Sequence, residues 1–211
     1  HGKTSDLQRS VIRNPLVWVL ALSSSFMYIS RYAINGWGVL FLQEIKGYTL
    51  ATATQVISVN ALCGIVGTVF SGWLSDAFFH GRRNVLAFGF GVLNTIALCL
   101  FLYSGDGLVV NILSMILFGV AIGVLICFLG GLMAIDIVPR EATGAALGIV
   151  GMASYVGAGL QDIVSGWLIN SGKTELDGAT SYNFDSAIVF WIAASAVSFI
   201  LALFVAKRSH R

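Results

Sequence analysis

Apolar residues fall in six long blocks along this chain, separated by short polar intervals: residues 16–41, 54–75, 85–103, 109–134, 145–169 and 187–206. Each block reaches the length of about 18 residues or more that a helix needs to cross a bilayer. The pattern predicts six membrane-spanning helices and no soluble domain. Residues 1–14 read as the end of a hydrophilic linker, 15–206 as the transmembrane unit and 207–211 as a tail. Short intervals between spans are what antiparallel neighbours in a bundle require. The exception, 170–185, is rich in Gly, Ser, Thr and Asp and reads as an external segment, either an ordered cap or, the favoured reading, a flexible loop. The opening is polar and carries no Met, so the chain reads as a piece of a longer protein.

Composition sharpens this picture. Of 211 residues 57% are apolar and 10% charged, against about 25% charged in soluble domains. Six spans put both termini and the intervals near 76–84 and 136–143 on one side. That side carries Lys3, Arg9, Arg13, Arg82, Arg83, Arg140, Lys207, Arg208 and Arg211, most of the twelve basic residues. By the positive-inside rule the termini are cytoplasmic. The net charge of +2 is thus a topology signal, and no nucleic-acid partner is expected. Cys63, Cys99 and Cys127 all lie within spans and read as small packing residues. Glycines at 64 and 67, at 119 and 123, and at 144, 148 and 151 are placed for close approach of helices.

Two polar stripes interrupt the apolar helices. In the first span Ser24, Tyr28, Arg31 and Asn35 recur every three or four residues and share one face. Arg31 lies fifteen residues in, ~22 Å from the start of its block, where a charge costs from ~3 to more than ~10 kcal/mol. Such a residue faces a water-filled cavity, and a guanidinium that keeps its proton suits an anion. The fifth span carries Gly148, Met152, Tyr155, Gly159, Asp162 and Gly166 in the same manner. Three roles are open for Asp162: ion-pair partner of Arg31, coupling or substrate contact, or a local pair with Gln161 or a backbone group. No histidine lies in any span, which leaves Asp162 as the sole candidate for a proton site. No catalytic set, cofactor or metal is expected.

After the second span the chain reads Gly72-Trp73-Leu74-Ser75-Asp76-Ala77-Phe78-Phe79-His80-Gly81-Arg82-Arg83. Here Asp76 can pair with Arg82 or Arg83 and bias one conformation, while Gly72 and Gly81 permit the tight reversal. This motif resembles the cytoplasmic signature of the major facilitator superfamily. Together with Tyr28-Ile29-Ser30-Arg31, Asn35-Gly36-Trp37, Pro139-Arg140-Glu141-Ala142-Thr143-Gly144 and Gly151-Met152-Ala153-Ser154-Tyr155, it resembles the organophosphate:phosphate antiporters within that superfamily. The resemblance covers Val11 to Lys207. It implies an all-α, six-helix C-terminal half-bundle of a twelve-helix transporter in a bacterial inner membrane, with the N-terminal half as its partner.

The resemblance further implies exchange of a sugar phosphate, leaning to hexose phosphate, for inorganic phosphate by alternating access. Arg31 would bind the phosphate, with Tyr28, Asn35 and Tyr155 beside it and Asp162 balancing or coupling charge. A second arginine would come from the other half. Two alternatives stay open: a non-transporting sugar-phosphate receptor that signals to a kinase, and a proton-coupled sugar or drug carrier. The chain departs from the family pattern at Gly36, where an acid is common, at Ala61, where a glutamate is common, and at Gly123-Val124-Leu125 in place of Tyr-Gly-Pro. Asp162 is itself unusual for the glycerol-phosphate members, and on this resemblance would replace one of these lost acids as a charge partner in the cavity.

Overall fold

The computed structural model describes residues 2–79, 83–176 and 179–209. A polar helix α1 (Gly2–Arg13) precedes the first span, so this part of the linker is helical. Asn14 then caps α2 (Pro15–Glu44): its side chain accepts from the Leu16 amide at 3.0 Å. Pro15 occupies a first-turn position where no amide is needed. The same Asn14 donates from Nδ2 to the Ile137 carbonyl at 3.3 Å, which ties this end of the bundle together.

The remaining spans follow as α3 (Leu50–Phe79), α4 (Arg83–Tyr103), α5 (Leu108–Cys127), α7 (Thr143–Ser171) and α8 (Asp185–Ser209). A π-helical turn, Phe128–Leu132, joins α5 to the short α6 (Met133–Asp136), so the fourth span is continuous from Leu108 to Asp136. Six helices are long and apolar enough to cross a membrane among the described residues, each within a few residues of the expected block. The segment 170–185 contains two short strands among its described residues. Thr174–Leu176 (β1) pairs antiparallel with Ala179–Ser181 (β2), Thr174 opposite Ser181. Asp177-Gly178 between them is a strong hairpin dipeptide, a signal that composition alone conceals.

Helix α2 is central, packing on α7 and α8, while α3 packs on α5 and α4 on α5 and α8. Polar side chains staple the dry interfaces, where an unmade hydrogen bond would be costly. Ser23 Oγ donates to the Ser198 carbonyl and Ser198 Oγ to the Ser23 carbonyl, both at 2.7 Å, joining α2 to α8 reciprocally. Asn94 of α4 reaches Ser195 of α8 at 2.8 Å. Glycines do the same work for α3 and α5, whose backbones touch at Gly64, Gly67, Gly119 and Gly123. Gly144, Gly148 and Gly151 do not take part in such an approach: nothing lies within 4 Å of a Cβ built on any of them. Among the spans α3 and α7 are the least buried, and α7 presents Met152, Tyr155 and Asp162 on an open face.

The end of the bundle opposite the termini holds a feature that periodicity does not reveal. Gly47, at φ 69°, closes α2, with the Tyr48 amide bonded back to the Leu42 carbonyl at 3.0 Å. This turn directs Lys46 inward, leaving it 9% exposed. Its ammonium donates to the Phe101 carbonyl, to Asn111 Oδ1 at 2.6 Å and to Ser104 Oγ at 3.2 Å. The rings of Phe101 and Phe41 lie 5.0 and 5.6 Å away. Asn111 also donates to Tyr48 Oη at 3.0 Å, and Tyr48 donates to the Asp106 carbonyl at 2.7 Å. One lysine thus locks the α2–α3 turn to the α4–α5 turn.

Burial pushes the Lys46 ammonium down to about 8, partly opposed by the Asp106 carboxylate. Because this lies below the value in the unfolded chain, the unfolded chain binds more protons between about pH 8 and 10.5. The site's contribution to stability therefore rises with pH across that window and is flat below it. Lys46→Met should remove this pH dependence and strand two buried acceptors, costing about 1–3 kcal/mol at neutral pH. Thermal unfolding in detergent between pH 7 and 10 measures both effects.

Candidate functional site

The polar face of α2 divides between two neighbours. At 100° per residue, Arg31 lies on its flank toward α3 and α5, Gly36 on its flank toward α7, and Asn35 between them. Arg31 and Asn35 line a cavity of about 450 Å³ with Asn60, Ala61 and Thr68 of α3 and Ile126 near the end of α5. Asn60 donates to the Ile57 carbonyl at 2.6 Å and stands 3.4 Å from Asn35 Oδ1. Ala61 thus contributes a methyl group rather than a charge to the cavity that Arg31 lines.

Arg31 is half-buried on an aromatic floor. Its Cζ lies 5.6 Å from the ring centroid of Tyr28 and 5.4 Å from that of Tyr32. The two rings stack at 5.8 Å and 24°, and Tyr155 of α7 meets Tyr28 edge-on at 5.5 Å and 72°. Arg31 also interacts by hydrogen bonding with the Tyr28 side chain, and its fork of five N–H donors leaves others for an anion. Tyr32 belongs to this floor and was not singled out by spacing, because it lies one residue off the stripe. Ser24 leaves the site: it is fully buried and its hydroxyl meets Ser154 Oγ at 2.7 Å. Since Ser154 donates to the Val150 carbonyl at 2.7 Å, Ser24 is the donor in that pair, and its role is to join α2 to α7.

Asp162 does not pair with Arg31. The ion pair recorded among the described residues is a different one, Arg83 with Asp136 at 2.7 Å. Nor does Asp162 bond Gln161, which is buried on the other side of α7 and donates to Ser165 Oγ at 3.0 Å. Two of the three roles open to Asp162 are therefore not made in this conformation. The reason is register: Asp162 stands level with Gly36, five residues beyond Arg31 along α2, or ~7.5 Å.

The conformational motif is visible only in part. Gly81, Arg82 and the side chain of Asp76 lie outside the described residues. Gly72 is within α3, with nothing within 4 Å of a built Cβ. Arg83 opens α4, and its Nη1 holds Asp136 at the end of α6, a partner that loop order alone would not suggest. The Asp136 side chain is exposed and that of Arg83 partly so, so solvent screening holds this pair to about 1 kcal/mol.

Comparison with known proteins places these elements. Residues 2–161 match the model of the Major Facilitator Superfamily. The membrane sensor protein UhpC of Salmonella typhimurium is 35% identical over 166 residues, which is 76% of this chain and 36% of that protein. The glycerol-3-phosphate transporter of Bacillus subtilis is 34% identical over 152 residues, covering 70% and 33%. A Chlamydia trachomatis protein named "Probable hexose phosphate transport protein" is 32% identical over 155 residues, covering 70% and 33%. In fold, the chain superposes on the proton:xylose symporter XylE with a TM-score of 0.62 at 16% identity, over 98% of this chain and 45% of that one. The chain spans about a third of the length of the curated relatives it matches, and it belongs to the Major Facilitator Superfamily.

Proposed function

We propose that this chain is the phosphate-anchoring half of an exchanger that carries an organophosphate against inorganic phosphate by alternating access. Its termini would face the cytoplasm of a bacterial inner membrane, and an N-terminal six-helix half would complete the cavity. The observation that carries the reading is Arg31: a membrane-embedded guanidinium on a floor of tyrosines, at a cavity shared with Asn35, and without a carboxylate partner among the described residues. A structural arginine would be neutralised by an acid; this one leaves its charge for a ligand. The planar fork matches phosphate oxygens. Tyr28, Asn35 and Tyr155 add neutral hydrogen-bonding groups on the same face. A phosphate ester carries nearly two charges, so a second cation from the other half fits the reading. The lean to hexose phosphate rests on Asn35 and Asp162, polar groups beyond the phosphate end.

The likeness to a membrane sensor favours a second reading, a receptor that binds sugar phosphate without moving it. Counterflow in proteoliposomes of the full-length protein separates the two. Vesicles loaded with phosphate should accumulate labelled glucose 6-phosphate as the phosphate leaves. Binding without flux would assign the site to a sensor, and uptake driven by a pH gradient alone would overturn the exchange reading.

A further inference from the structure

Helices α2 and α7 run parallel, and two of their contacts lie at the open polar face. The first is the edge contact of Tyr28 with Tyr155. Two turns further along both helices, Gly36 comes opposite Asp162: a Cβ built on Gly36 would lie 3.3 Å from Asp162 Oδ1. A carboxylate from α7 thus stands beside the bare backbone of Gly36 on α2. Both residues are exposed on the unpartnered side of the half-bundle. Asp162 makes neither an ion pair nor a hydrogen bond among the described residues. Arg31 and Asp162 therefore flank the open face of α2, one toward α3 and the other toward α7, with Asn35 between them. Their helix positions are offset by ~7.5 Å along the axis.

We infer that Asp162 is the specificity-determining residue of this site: it accepts hydrogen bonds from hydroxyls on the organic part of the ester and excludes esters that carry a second anionic end. This rests on the reading of Arg31 as phosphate anchor. An ionised carboxylate is an acceptor only, so it selects donors such as a polyol. Against a carboxylate on the ligand it offers no bond and a like charge, in a medium where such repulsion is strong. Gly36 belongs to the same device. A methyl there would press on Oδ1 at a separation tighter than ordinary contact and shift the carboxylate outward.

The test uses the full-length protein in phosphate-loaded proteoliposomes, with glucose 6-phosphate and 3-phosphoglycerate competing against labelled inorganic phosphate. In the wild type glucose 6-phosphate should inhibit at least about tenfold more tightly than 3-phosphoglycerate. Asp162→Asn should collapse that ratio toward one, by weakening the sugar ester and strengthening the diacid. Asp162→Glu, which keeps the charge, should retain the penalty on 3-phosphoglycerate. Gly36→Ala should move the ratio in the same direction as Asp162→Asn but less. An unchanged ratio in Asp162→Asn, or a wild-type ratio near one, overturns the inference while leaving phosphate exchange intact. Absence of phosphate exchange in the wild type instead overturns the exchange reading, and absence of phosphate binding as well overturns the anchor reading. The two ligands are then compared by ligand-induced thermal shift in the wild type and Asp162→Asn, with the same outcomes deciding.

Discussion

Arg31→Lys should insert and fold normally yet lose phosphate exchange by about 100-fold or more. The positive charge is retained, so the electrostatic cost of the membrane site and the attraction for an anion are little changed. What is lost is geometry. A guanidinium offers two parallel N–H donors to two phosphate oxygens, whereas an ammonium makes a point contact. The Arg31 Cζ also lies 5.6 and 5.4 Å from the ring centroids of Tyr28 and Tyr32, contacts that limit the freedom of the fork. A lysine side chain is shorter by the planar group and has more freedom on that floor. A hundredfold loss corresponds to about 2.7 kcal/mol, within reach of one bidentate charge-assisted pair. The measurement is phosphate self-exchange in proteoliposomes, alongside thermal unfolding to show that stability is kept. Near-normal exchange by the lysine variant would remove Arg31 from the role of anchor.

How much of this was legible beforehand depended on the range of each interaction. The six spans are a property of local composition, and the structure has them within a few residues of the apolar blocks. The stripe of Tyr28, Arg31 and Asn35 is local too, since helical spacing alone brings them to one face. Partners across helices are another matter. Ser24 lies on the same stripe, but the crossing of α2 with α7 buries it against Ser154. Asp162 matches Arg31 in depth by counting from helix starts, yet the two helices enter with different offsets, and Gly36 is the residue opposite. Lys46 looks like an ordinary loop charge, and only the Gly47 turn and the distant Asn111 show why it is buried. Register between helices separated by dozens of residues is set by packing that no local pattern encodes.

The α3–α5 interface is where a small change should do most damage to the fold. A Cβ on Gly123 would fall 2.2 Å from the Gly64 carbonyl oxygen and 2.9 Å from the Thr68 nitrogen. One on Gly119 would fall 2.3 Å from the Asn60 carbonyl oxygen, and one on Gly67 2.4 Å from that of Val120. These are backbone atoms, so no rotamer change can make room and the helices must separate. Separation also breaks the hydrogen bond from Thr68 Oγ1 to the Gly123 carbonyl at 3.1 Å. Overpacking of this kind costs about 1–3 kcal/mol per site, against a gain of up to about 1 kcal/mol from the better helix former. With two sites on one ridge and the full helix-propensity gain subtracted at each, Gly119→Ala/Gly123→Ala should lose up to about 4 kcal/mol net, a large fraction of a typical stability. Gly89→Ala, with nothing within 4 Å, should stay within about 0.5 kcal/mol of the wild type. The same interface forms a wall of the cavity, because Gly64 and Ile122 line it beside Arg31. Prying α3 from α5 would carry Asn60 and Ala61 away from Arg31, so phosphate exchange should fall even in the fraction that folds. Thermal unfolding and exchange measured on the same preparations check both parts, and a double variant as stable as Gly89→Ala would show that the two backbones do not approach as described.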